Sequence, residues 1–329
     1  MATLDDQLDR ARRRSGLRLA GRGLSRHGGA ASHEDTGEDD AEQASGDHSR
    51  HPHVIVCESA TLLWLMIESA NPNDFAVTTP GAGLIPHGAP PLYFTFATLA
   101  KLGLPHATTT RHCPGTAVWG EPQPLVGPEA VAALASTGLD LGRLTWARQM
   151  HGADVARATA RGGFAGRADV LVTTEPSAPL AIFTADCLPV TICDPEAGVL
   201  GLAHVGWRGT VRGAAQAAVD AVVGAGGRAD RLAATIGPSI GPCCYEVDAP
   251  VVSEFRAAYP SMWERWARPA APGRFMLDLW MANEALVAAA GVDPARIDNP
   301  RLCTACHPDL LYSYRKGNRG RLVTFAALP

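Results

Sequence analysis

No apolar run in this chain is long enough to cross a bilayer. The longest, Ala60 to Ile67 with one threonine inside it, falls far short of the roughly 20 residues that a membrane helix requires. The first 25 residues are polar and arginine-rich and lack the apolar segment of a secretory signal. A cytoplasmic protein with reduced thiols is therefore expected, and its eight cysteines are read as ligands, nucleophiles or core rather than disulfides. A strong basic excess is also missing. The formal net charge of -4 argues against broad contacts with a phosphate backbone, so neither nucleic acid nor membrane is an expected partner. No internal repeat is found.

What is present is a globular composition. Of 329 residues, 46% are hydrophobic and 19% charged, enough for one large domain or two ordinary ones. Residues 1–53 are rich in Arg, Asp, Glu, Gly, Ser and His, with almost no aliphatic periodicity after Leu24. They cannot bury enough apolar surface to offset their ordering entropy, so a disordered, dispensable tail is expected. Residues 54–91 are an extension and linker of uncertain allegiance, Pro- and Gly-rich from Asn71 to Pro91. Order resumes near Leu92, and 92–329 reads as the catalytic domain. Strands are predicted at Leu92 to Phe96, Leu144 to Met150, Ala168 to Thr174, Pro179 to Thr184, Leu232 to Ile236, Leu310 to Tyr314 and Leu322 to Ala327, while Pro105 to Arg111 leads into the Pro114-Gly115 turn. Helices are predicted at Pro128 to Ser136, from a Thr210 cap to Val223, and from an Asp278 cap to Gly291.

The stretch from Thr184 to Gly209 organises the rest. Two apolar runs, Leu188 to Cys193 and Val199 to Val205, flank Asp194-Pro195-Glu196-Ala197-Gly198, which reads as strand, turn, strand. A turn centred on Glu196 sets Leu188 opposite His204 and brings Cys187 beside that histidine. A thiolate and an imidazole at one strand end are either a nucleophile with its base or two metal ligands. His151, also glycine-flanked at a strand end, would complete a site of two nitrogens and one sulfur with an open position.

Arg208 precedes the predicted helix start at Thr210, so it either clamps an anion there or pairs with Asp186 or Glu246. Trp207 either stacks on a planar base or packs in the core. Cys303-Thr304-Ala305-Cys306-His307 has the spacing of a haem attachment site and is also half of a zinc site. The adjacent Cys243 and Cys244 are read as tight-turn packing, because neighbouring cysteines rarely ligate one ion.

Five segments occur in a specific order: QMHGADV, TADCLPV, AHVGWRG, IGPSIGPCCYEV and LYSYRKGNRGRLVTFAAL. In this they resemble the YfiH-like, or laccase-domain, family of purine nucleoside phosphorylases, also called multicopper polyphenol oxidases, over roughly Leu92 to Leu328. The resemblance implies an α+β fold with α/β/β/α layers and mixed sheets, related to cysteine hydrolases. It implies metal ligands at His151, Cys187 and His204, with zinc as the cofactor and copper as the other candidate. It implies phosphorolysis of adenosine, inosine and methylthioadenosine, with adenosine deamination beside it, so purine nucleosides and phosphate are the expected partners. Cys187, Asp186 and Arg208 are the expected catalytic residues. Arg111, Trp207 and Arg315 are the expected substrate contacts. One departure concerns the first substrate loop, where Thr110-Arg111 is followed by His112-Cys113-Pro114-Gly115 instead of the family's x-G-G-V-S. Two other functions compete: a cysteine hydrolase with His204 as base, and a copper-dependent phenol oxidase, which needs more histidines than the six outside the tail.

Overall fold

The computed structural model describes residues 81–116 and 126–329; the expected tail at 1–53 and the extension up to residue 80 lie outside them. Two sheets form the body. The first has seven strands in the spatial order β1 (Leu84–His87), β2 (Tyr93–Phe96), β3 (His106–Thr109), β16 (Leu322–Ala326), β8 (Leu180–Thr184), β4 (Thr145–Arg148) and β6 (Gly163–Arg167). The second has six, in the order β15 (Ile297–Asp298), β11 (Ala233–Ile236), β9 (Leu188–Asp194), β10 (Val199–Val205), β7 (Val170–Thr173) and β5 (Val155–Arg157). A small third sheet joins β12 (Glu246–Asp248), β14 (Arg274–Leu277) and β13 (Ala267–Ala271). The main sheet starts at Leu84, earlier than the ordered region read from the sequence.

Both faces of each large sheet are covered, which is why the central strands read as near-continuous apolar runs. Leu180 and Ile182 point between the sheets with Phe94, Phe96, Leu171, Leu200 and Leu202. Their neighbours Ala181 and Phe183 face the other way, against Val126, Ala130 and Leu134. The helices are α1 (Ala97–Lys101), α2 (Pro128–Ala133), α3 (Trp207–Arg212), α4 (Ala214–Gly224), α5 (Ala249–Ala258), α6 (Trp263–Trp266) and α7 (Leu279–Ala289). Helix α4 buries Ala214, Ala215, Ala218, Val219 and Val222 on the outer face of the second sheet. It comes so close that a Cβ at Gly201, in the middle of β10, would lie 2.8 Å from Val222 Cγ2. The result is the expected α/β/β/α layering of an α+β fold. No described helix is long and apolar enough to cross a membrane.

Three local expectations are corrected. The single helix from Thr210 to Val223 is two helices, broken where Gly213 adopts φ 81°. Thr210 is not the cap: helix α3 begins at Trp207 behind Gly206, and the Thr210 hydroxyl donates back to the Gly206 carbonyl at 3.1 Å. Leu310 to Tyr314 is not a strand. The backbone N–H groups of Leu310 and Leu311 both turn back to the His307 carbonyl. Asp278 does cap α7, accepting from the Met281 N–H at 2.9 Å.

Candidate metal centre

The hairpin β9–β10 is in place, with a register one residue from the expected one. His204 pairs with Pro189, and Leu188 with Val205. The cause is a four-residue turn, Pro195–Gly198, closed by Gly198 N–H to the Pro195 carbonyl and by Ala197 N–H to Asp194 Oδ1. A one-residue slip exchanges the two faces of a strand. The actual register turns His204 to the face of Pro189, the face that Cys187 occupies two positions earlier.

The third candidate ligand comes from the loop after β4. Gln149 anchors that loop, because its side-chain amide exchanges two hydrogen bonds with the backbone of Phe183 in β8, at 2.7 and 2.8 Å. The chain then turns at His151, with φ 54°. The ligand atoms of His151, Cys187 and His204 all lie within 4.8 Å of one another. Cys187 Sγ is 4.0 Å from His151 Nε2, and the two imidazoles meet edge to face at 4.8 Å. His204 is buried, Cys187 partly buried and His151 exposed, so the group opens to solvent on one side. Opposite the sulfur stands Gly206. A Cβ there would come within 2.9 Å of Cys187 Sγ and 3.2 Å of the His151 ring, which explains the glycine after His204-Val205.

Asp169 holds the group together, and sequence reasoning missed it. The carboxylate is fully buried at the start of β7. Oδ1 accepts from His151 N–H at 2.9 Å and from His204 Nδ1 at 2.8 Å. Oδ2 accepts from the N–H groups of Met150 at 3.0 Å and Gly152 at 2.7 Å. The Asp169 carbonyl also accepts the His204 N–H at 2.7 Å. One carboxylate therefore shapes the His151 loop and fixes the His204 tautomer, leaving Nε2 of His204 for a ligand. The only sequence signal was a polar residue just before an apolar strand.

The electrostatics match. Burial raises the Asp169 carboxyl, but the His204 hydrogen bond and the backbone N–H donors outweigh it, so it sits below its ordinary value. Burial also opposes the Cys187 thiolate, yet the His204 charge and hydrogen bonds from both histidines bring the thiol down to about 6. Burial would lower His204, whereas the facing Cys187 charge and the Asp169 hydrogen bond push it up to about 9. The donor set fits a metal: two imidazoles and a thiol that gives up its proton readily, with a carboxylate behind one imidazole.

The other expected residues divide. Asp186, at φ 92°, accepts from Thr304 Oγ1 at 2.6 Å and from the Arg315 N–H at 2.7 Å. It thus ties the Cys187 segment to two distant loops. The Arg315 guanidinium donates to the carbonyls of Cys244 and Glu246 and lies 5.3 Å from the Tyr245 ring centre. Burial, then the nearby Cys187 charge, raises the Tyr245 phenol well above its ordinary value. Tyr245 is an aromatic that sequence reasoning did not single out. Arg208 is exposed and stacks on Trp207, 4.4 Å from the ring centre. Neither suggested carboxylate partner is turned to it: Asp186 is engaged as above, and Glu246 faces Arg274 at 4.0 Å. Arg208 sits in the first turn of α3, not ahead of the helix as expected. Arg111 donates to the Pro308 carbonyl and lies over Tyr312; none of these contacts reaches the His–Cys–His group.

Residues 123–329 match the family described as multi-copper polyphenol oxidoreductase laccase. A purine nucleoside phosphorylase of Deinococcus radiodurans is 39% identical over 247 residues, covering 70% of this chain and 91% of the relative. An adenosine deaminase, RL5, from an unknown prokaryotic organism is 35% identical over 199 residues, covering 57% and 76% respectively. The crystal structure of YlmD from Geobacillus stearothermophilus aligns over 74% of this chain and 99% of its own length, with a TM-score of 0.66 and 29% identity. A Bacillus licheniformis YfiH structure aligns with a TM-score of 0.63, 26% identity, and coverage of 72% of this chain and 96% of its own. With the ordered segments of the sequence, the layered fold and these matches in agreement, this chain belongs to the YfiH-like, laccase-domain family.

Proposed function

We propose that this protein is a zinc-dependent purine nucleoside phosphorylase acting on adenosine, inosine and methylthioadenosine, with adenosine deamination as a side activity. The observation that carries the proposal is the His151–Cys187–His204 group, gathered from three segments and oriented by Asp169. The names of the relatives direct that group toward nucleosides. Bound there, zinc supplies Lewis acidity and activates water near neutral pH, and copper is the other ion that such nitrogen and sulfur donors accept.

In phosphorolysis a phosphate oxygen bonds to ribose C1′ while the C1′–N9 bond breaks, and the purine leaves with the electron pair and takes a proton. The residues suit those needs. Arg208, exposed and stacked on Trp207, is the cation for phosphate, and hydrogen bonds to a charged group are among the stronger ones. Tyr245, protonated near neutral pH like any phenol, offers a hydrogen-bond donor beside Arg315. Trp207 and Tyr245 offer aromatic surface for the purine, with the Arg208 and Arg315 guanidinium groups beside them. Asp186 and Arg315 act as positioning residues, because their hydrogen bonds fix the backbone that carries Cys187. Arg111 is assigned to substrate only through the family resemblance, and its contacts in this chain support a structural part.

A second reading has its own observation. With no metal, the Cys187 and His204 shifts describe a thiolate–imidazolium pair, the nucleophile and base of an amide hydrolase. A phosphate-dependent assay with inosine, run before and after chelation and after zinc is restored, tests the first reading. Loss and recovery are expected. Undiminished activity in metal-free protein would overturn it, and amide hydrolysis by that same protein would favour the second.

A further inference from the structure

We propose that Cys243, Cys244, Cys303 and Cys306 form a second metal centre, a structural tetrathiolate zinc site separate from the His151–Cys187–His204 group. The sequence pattern is a Cys-Cys pair and a Cys-x-x-Cys some sixty residues later. Folding brings the four sulfur atoms within 4.8 Å of one another. Cys243 Sγ lies 3.4 Å from Cys306 Sγ, and Cys244 Sγ lies 3.5 Å from the same atom. A zinc–sulfur bond of about 2.3 Å in tetrahedral geometry sets its sulfurs roughly 3.8 Å apart, the spacing class seen here, whereas a disulfide needs about 2.05 Å.

The backbone explains how adjacent cysteines both reach one point, against the expectation of simple turn packing. The N–H groups of Cys244 and Tyr245 both donate to the Gly241 carbonyl at 3.0 Å, so the chain curls tightly at residues 241–245. The facing segment is stitched alongside by Ser239 N–H to the Leu302 carbonyl and by Thr304 N–H to the Ser239 carbonyl. The Gly241 N–H points at Cys303 Sγ at 3.3 Å, the contact that a metal-bound thiolate accepts to disperse its charge. His307 stays out of the cluster, because its Nδ1 is hydrogen-bonded to the Cys303 carbonyl at 2.8 Å.

Binding of a divalent ion to four thiols releases four protons and leaves a complex of charge -2. The Arg315 guanidinium, bonded to the Cys244 carbonyl at 3.4 Å, lies beside that charge. The centre would also brace the first site. Thr304, inside the Cys-x-x-Cys, holds Asp186 Oδ1, and Arg315 holds Asp186 Oδ2 through its backbone. The metal thus locks the two loops that position Cys187.

The test uses full-length protein purified under reducing conditions with zinc. Cys243 is exposed, so a free thiol there would alkylate readily. N-ethylmaleimide labelling read by mass spectrometry should be at least about ten-fold slower at Cys243 before chelation than after it. Equal labelling in both states, or a Cys243–Cys306 disulfide found in the reduced protein, would overturn the proposal. Metal analysis then separates the two sites. Cys243→Ser with Cys306→Ser should lose about one zinc equivalent per chain, and Cys187→Ala should retain one. If Cys187→Ala is metal-free, the second centre does not exist. If the double variant holds as much zinc as the parent, it does not exist either. Should the double variant fail to fold, the labelling of the parent protein still decides.

Discussion

Replacing Asp169 with asparagine tests the architecture of the first site most directly. The carboxylate accepts four hydrogen bonds, two at each oxygen, from three backbone N–H groups and one imidazole. An amide of the same shape has one acceptor and one donor, so either orientation turns an NH₂ toward two N–H donors. If the amide oxygen takes the Oδ1 side, the N–H groups of Met150 and Gly152 lose their acceptor. If it takes the Oδ2 side, His151 N–H and His204 Nδ1 lose theirs. His204 then carries its proton on Nε2, the atom a metal needs. Two buried hydrogen bonds lost at about 1–3 kcal/mol each give roughly 2–6 kcal/mol of destabilisation. For a domain of this size that is about 4–24 °C in Tm. Loss of the group behind a metal-binding histidine typically weakens the metal by about 10- to 100-fold. Thermal melts, together with zinc competition against a chromophoric chelator, measure both effects. A variant that keeps the parent Tm and binds zinc within about two-fold of the parent would refute the reasoning, since both losses follow from the same four bonds.

Further outcomes follow from other contacts. Arg208→Ala should lower phosphorolysis by about ten- to a hundred-fold, the worth of one charged hydrogen bond, with zinc content and Tm unchanged; a large fall in Tm instead would assign the residue to the scaffold. Gly206→Ala places a methyl 2.9 Å from the Cys187 sulfur, so metal content should drop, and retention of full zinc would show that the loop yields. Gly201→Ala drives a methyl against Val222 beneath α4 and should cost about 1–3 kcal/mol in chemical denaturation with little effect on zinc. At Asp194, burial raises the carboxyl, but hydrogen bonds from Arg228, Ala197 and Arg231 leave it below its ordinary value. A depressed value stabilises the fold above the unfolded pKa of about 3.9 and loses that stability as pH falls through the folded value. Asp194→Asn should therefore flatten the acid limb of the stability profile, and an unchanged limb would exclude Asp194 as its source.

Much of this could be read before folding was considered. The β9–β10 hairpin is written in two apolar runs around Asp-Pro-Glu-Ala-Gly, and the Asp278 cap and most of the strands follow local chemistry. The candidate metal-ligand trio is legible because two histidines lie near glycine at strand ends and the hairpin brings Cys187 to one of them. The misses share a cause. Asp169 and Gln149 act through hydrogen bonds to backbone far away in sequence, which no spacing rule records. Leu310 and Leu311 look like a strand because they are apolar, but their N–H groups turn back on His307.

Periodicity and short-range turn chemistry thus marked the hairpin and singled out the three candidate ligands, and the ordered sequence segments gave the fold class through their family resemblance. Tertiary structure decided the rest. It carried the His151 loop to Cys187 and His204, and it brought Asp169 behind both histidine segments. It also drew Cys243 and Cys244 to Cys303 and Cys306. Those arrangements depend on chain segments that meet only when two sheets close around a shared core, and the distances between them are not encoded in local sequence.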